Sequence, residues 1–179
     1  FYYYYEDNKI EKIKSIIKQN NHNNTEVSCK FLRNSMTRDE HRKTVLKINY
    51  HYKNKIKWLL PTLDRFQKII LHKIKFYNLQ HAIEIVNFDK SFQKIAESKV
   101  AICCSGTATL QLSLLSIPTI VIYKTSFINA ILGRLFVNID NVVLPNFISG
   151  KKNLPFLFQE KCNIENLFKL FCEFYDNYK

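Results

Sequence analysis

Residues Val100 to Lys124 read VAICCSGTATLQLSLLSIPTIVIYK. VAICC is an apolar run of strand length, Ser105-Gly106-Thr107 interrupts it, Thr107 to Ser116 follows with helical spacing, and Thr119 to Tyr123 (TIVIY) is a second apolar run. A strand, a turn of small residues, a helix and another strand predict a βαβ unit. Runs without polar alternation predict strands buried on both faces, as in a parallel sheet.

The same alternation extends outward in both directions. Glu26 to Leu32, Ile56 to Leu60 and Ala82 to Val86 read as further strands, and Arg38 to Tyr50, Leu63 to Ile74, Asp89 to Ser98 and Ser126 to Val137 as helices. Strand then helix, repeated five times, predicts an α/β fold: a Rossmann-like, doubly wound parallel sheet with helices on both faces. Residues 1–179 are expected to form one domain, with residues 1–24 a flanking helix (Lys9 to Gln19) and Asn-rich loop, 25–160 the α/β core and 161–179 a C-terminal helix. That last helix carries Ile164, Leu167, Phe168, Phe171, Phe174 and Tyr175 at spacings of three and four. So wide an apolar stripe must pack on this sheet, on a partner domain or on a membrane surface.

Composition narrows the function classes. With 3 glycines in 179 residues, collagen-like and Gly-rich flexible chains are excluded, since average usage predicts about a dozen. The five cysteines form no CxxC pair and no Cys/His ligand spacing, which fits reduced thiols rather than a disulfide framework or a zinc site. The apolar runs are too short to span a bilayer as a helix. The chain starts at Phe1, not Met, and is expected to be part of something longer. Its net charge of +12 is uneven. Residues 1–99 hold 20 Lys+Arg against 10 Asp+Glu, and residues 100–179 hold 7 against 5. A front half at +10 attracts phosphates, or is a solvated lysine surface of a biased composition.

The chemistry is expected at Ser105-Gly106-Thr107. There the free N–H groups and positive dipole end of a helix meet the carboxyl end of a buried strand, which is where open α/β sheets bind ligands. An anion fits there, and the glycine permits close approach or a positive φ. An ordinary helix cap explains the same residues. No GxGxxG, Walker A, GxSxG or HExxH sequence is present, and no metal or organic cofactor is expected.

SGTATLQLSLLSIPTIVIYK closely resembles the SGTATLE…PTVVAYK segment of the lipid-A-disaccharide synthase family of GT-B glycosyltransferases. Phe136 to Gly150 (FVNIDNVVLPNFISG) resembles that family's LPN stretch, Pro155 to Gln159 (PFLFQ) its PExxQ, and Trp58 to Leu63 (WLLPTL) a strand that closes with a proline. Phe31 to Asp39 (FLRNSMTRD) occupies the place of its LPGSRxxE.

The resemblance implies the C-terminal, UDP-sugar-binding half of a two-domain enzyme whose N-terminal acceptor domain is absent here. Ser105, Gly106, Thr107, Ala108 and Thr109 would hold the pyrophosphate, Gln111 would meet the ribose, and Asn146, Gln159 and Ser35 would line the cleft. No catalytic residue is expected in this chain, because the family's candidate carboxylate belongs to the missing half. The implied donor is UDP-2,3-diacylglucosamine and the implied acceptor the phosphoglycolipid 2,3-diacylglucosamine 1-phosphate. Peripheral contact with anionic lipid at the cytoplasmic face of a Gram-negative inner membrane is also implied; nucleic acid is not. Asn34, Met36, Lys99, Gln111 and Phe156 depart from the family pattern and mark a divergent copy. A degenerate non-catalytic fragment, or another GT-B transferase using UDP-N-acetylglucosamine, are the alternatives.

Overall fold

The computed structural model describes residues 26–30, 38–87, 92–125 and 142–177. Strand β1 is Glu26–Lys30, helix α1 Arg38–His51, β2 Lys57–Thr62, α2 Asp64–Phe76, β3 Ile83–Asn87 and α3 Phe92–Ala96. They are followed by β4 Val100–Cys104, α4 Thr107–Leu114, β5 Thr119–Tyr123, α5 Leu144–Ser149, β6 Phe156–Phe158, a 3-10 turn Gln159–Lys161 and α6 Ile164–Asn177. All strand pairings are parallel and the order is β3-β2-β1-β4-β5-β6. This is the expected doubly wound sheet. The direction of winding reverses between β1 and β4, and the carboxyl ends at such a switch point are where open α/β sheets bind ligands.

Period-two alternation sorts the buried residues onto two faces. Trp58, Val100, Ile102, Cys104, Ile120 and Ile122 pack with Val45 and Ile48 of α1 and Leu167 and Phe171 of α6. Leu59, Ala101 and Cys103 pack on the other face with Ile95 and Ala96 of α3 and Leu112 of α4. All five residues of β4 are buried, as the VAICC run requires of a central strand. The apolar stripe near the C-terminus therefore packs on the sheet. Phe171 lies against Trp58, with ring centroids 5.6 Å apart, and the buried Trp58 Nε1 donates to Asn49 Oδ1 at 2.6 Å.

Several boundaries differ from the sequence reading for local reasons. Strand β2 does not close at its proline but runs on through Pro61 to Thr62, in register with Val86 and Asn87. Trp58 N–H donates to Ala82 O on the β3 side. Alternation then turns the missing N–H of Pro61 toward β1, whose pairing with β2 ends at Leu59. Helix α4 stops at Leu114 rather than Ser116, because Ser116 adopts φ 56° and Ile117 N–H returns to Leu112 O, the usual left-handed helix exit. Elements α5 and β6 are too short to have produced a periodic signal. The helices expected at Lys9 to Gln19 and Ser126 to Val137 lie outside the described residues.

Candidate functional site

β4 ends at Cys104 and α4 begins at Thr107, so only Ser105 and Gly106 make the connection. Gly106 has φ 148° and ψ −167°, a conformation that side-chain-bearing residues rarely adopt. A methyl group built on it meets no atom of the described residues within 4 Å. Among these residues the glycine is thus demanded by the backbone rather than by crowding.

The hydroxyls around the turn brace it. Ser105 Oγ donates to Val142 O at 2.6 Å, which draws the segment leading into α5 against the turn. Thr109 is buried, and its Oγ1 and N–H both donate to Gly106 O, at 2.6 and 3.0 Å. Thr107 is exposed at the helix start and Ala108 is buried beneath it. Thr109 N–H is thus engaged, while Thr107 and Ala108 contribute the first N–H groups of the helix, which have no helix carbonyl behind them. Gln111 follows one turn later, half-buried.

Asn146 and Gln159 do related work on the main chain. Asn146 Nδ2 donates to Leu154 O and Leu154 N–H donates to Asn146 Oδ1, both at 2.9 Å. Thr125 N–H donates to Gln159 Oε1 at 2.8 Å, and Gln159 Nε2 donates to Thr125 O at 3.1 Å. Each amide takes the place of a neighbouring strand for one residue. Because Tyr123 is in register with Phe158, the Gln159 clasp prolongs the β5–β6 ladder past its last backbone pair. Ser35 lies outside the described residues.

Charged groups that the sequence reading did not select stand at the same end of the sheet. Lys124 Nζ is 3.1 Å from Glu40 Oε1 of the first turn of α1. His41 is beside them; burial pushes its imidazole down to about 4, with the positive charge of Lys124 acting in the same direction and Glu40 opposing it. Burial likewise raises the Cys162 thiol to about 11. A signal for Lys124 existed, since it closes the quoted stretch. None existed for Glu40, whose proximity depends on the order β1-β4-β5.

The turn is therefore braced by side-chain hydrogen bonds at the switch point of a parallel sheet, at the same end as the Glu40–Lys124 ion pair. The family model described as lipid-A-disaccharide synthetase matches residues 11–177. The chain is 38% identical over 77 residues to a lipid-A-disaccharide synthase of Syntrophus aciditrophicus, covering 43% of this chain and 20% of that protein. It is 30% identical over 119 residues to the enzyme of Nitrosococcus oceani, covering 66% and 30%. A solved glycosyltransferase from Rickettsia africae superimposes on 96% of this chain and 42% of its own, with TM-score 0.48 and 14% identity. The matched segments span less than a third of these two synthases. With the family model matched over nearly its whole length, the chain belongs to the lipid-A-disaccharide synthase family of glycosyltransferases.

Proposed function

We propose that this chain supplies the donor-binding part of a lipid-A-disaccharide synthase, holding the diphosphate of UDP-2,3-diacylglucosamine for transfer of its sugar to 2,3-diacylglucosamine 1-phosphate. The observation that carries the reading is the Gly106 turn: a positive-φ glycine with no atom of the described residues within 4 Å of an added methyl, at the N-terminus of α4 and the switch point of the sheet. Displacement at an anomeric carbon needs a base at the acceptor hydroxyl and donors for the departing diphosphate. This chain's part is the second. Main-chain N–H groups at the start of α4 oppose the developing charge, and Ser105 and Thr109 keep them aimed by fixing the turn. The base is assigned to an N-terminal half.

Peripheral contact with anionic lipid at the inner membrane belongs to the same reading, because both substrates carry acyl chains. Helix α2 supports it by exposing Phe66, Ile69 and Phe76 among Arg65, Lys68, Lys73 and Lys75.

The donor reading is tested by thermal melting. UDP is expected to raise the melting temperature of the chain in a concentration-dependent way, and Gly106→Val to remove that response. An unresponsive wild-type chain at millimolar UDP would overturn it.

A further inference from the structure

We propose that Lys124 contacts the diphosphate, and that Glu40 holds its ammonium group in place until the ligand displaces that carboxylate. The inference rests on the donor-site reading above and adds to it a charged side chain and an internal competitor.

Topology places the pair. Helix α1 follows β1 and Lys124 follows β5, while β4 lies between those two strands. The Glu40–Lys124 contact at 3.1 Å therefore passes over the carboxyl end of β4, where the Ser105–Gly106 turn begins. The β4–β5 register pairs Cys104 with Ile122, so the Ser105–Gly106 turn and Lys124 leave neighbouring strands at the same end of the sheet. Lys124 is even-numbered, like Ile120 and Ile122, and so leaves the sheet on the α1 side, while α4 covers the other face. A ligand on the turn is met by α4 from one side and by Lys124 from the other.

The backbone of Lys124 is fixed and its side chain is not. Tyr123 is held in the ladder and Thr125 is held at both its N–H and its carbonyl by Gln159. Gln159, strained at φ 50°, is in this account a positioning residue acting through Lys124. The Lys124 and Glu40 side chains remain 35% and 28% exposed. A partly solvated pair of this kind is weakly held and exchanges partners readily. A diphosphate carries more negative charge than one carboxylate and also meets the α4 N-terminus, so it outcompetes Glu40 for the ammonium. Glu40 in turn repels the bound phosphates, which keeps donor affinity moderate.

Calorimetric titration of the full 179-residue chain with UDP and with uridine separates these roles. Lys124→Met is expected to weaken UDP binding about tenfold, the loss of one charge-assisted contact. Lys124→Arg retains most of the affinity, and Glu40→Gln tightens UDP binding several-fold because a repelling charge is gone. Uridine binding is the same in all four proteins. Both Lys124→Met and Glu40→Gln break the same ion pair, so a purely structural role would move them together, whereas this account gives them opposite signs. Equal UDP affinity in Lys124→Met and wild type, or weaker binding in Glu40→Gln, overturns the proposal while leaving the donor site standing. Failure of the wild-type chain to bind UDP overturns the donor site and this proposal with it. Should Lys124→Met not fold, Glu40→Gln decides alone: tighter binding supports the proposal, and unchanged or weaker binding overturns it.

Discussion

Gly106→Ala adds a single methyl group that meets no atom of the described residues within 4 Å, yet it forces φ 148° on a residue that avoids it. The expected cost is about 1–3 kcal/mol in denaturant unfolding, all of it backbone strain. His41 makes the complementary electrostatic prediction. Its imidazole ionises near 6.5 when exposed and near 4 in the folded chain, so the unfolded chain binds the extra proton first. The stabilising contribution is complete above pH 6.5 and is lost as pH falls toward 4, amounting to roughly 3 kcal/mol at most. His41→Gln should flatten that part of the stability–pH profile; an unchanged slope would show that the imidazole is not held neutral. Two departures from the family pattern have local partners here. Lys99 lies over the Tyr175 ring of α6, 5.4 Å from its centre, and Phe156 packs beside Phe158, itself stacked on Tyr123. The role of Ser105 as a brace was not legible, because its partner Val142 is 37 residues away.

At the level of elements, the two amide clasps decide where the loops at the carboxyl end of the sheet lie. Asn146→Ala removes both hydrogen bonds to Leu154 and is expected to cost about 2 kcal/mol. Asn146→Asp keeps the acceptor for Leu154 N–H but sets a carboxylate oxygen against Leu154 O, so it should not restore stability at neutral pH. Equal stability of Asn146→Asp and wild type in urea unfolding would refute the clasp. The sequence pattern LPN…PxxxQ marked both amides as belonging near the cleft. It did not say that they face main chain, since a motif names residue types and a clasp depends on which backbone segment comes alongside. Helices α1, α2 and α6 were legible within two or three residues; α2 and α6 each have a long apolar stripe and a polar remainder, whereas the apolar residues of α1 fall in its second half, from Val45 onward. Strand β6 has three residues, and its FLF is read as a strand only once β5 is seen pairing with it.

For the whole molecule, the uninterrupted apolar runs already implied parallel strands, and the order β3-β2-β1-β4-β5-β6 leaves β1 and β4 adjacent. That adjacency sets the serine-glycine turn at the switch point of the sheet, and it brings α1 and its Glu40 beside Lys124. Local signals cannot supply such juxtapositions; they arise from crossovers tens of residues long. Nucleotide diphosphate is expected to bind at this carboxyl end and nowhere else on the described sheet. Amide chemical-shift mapping during titration with UDP tests it most directly. Saturable shifts concentrated at Gly106, Thr107, Ala108 and Lys124, with the Lys53–Lys55 turn at the opposite end unmoved, are the predicted result. Absence of saturable shifts at millimolar UDP, or shifts centred away from the Gly106 turn, would contradict it.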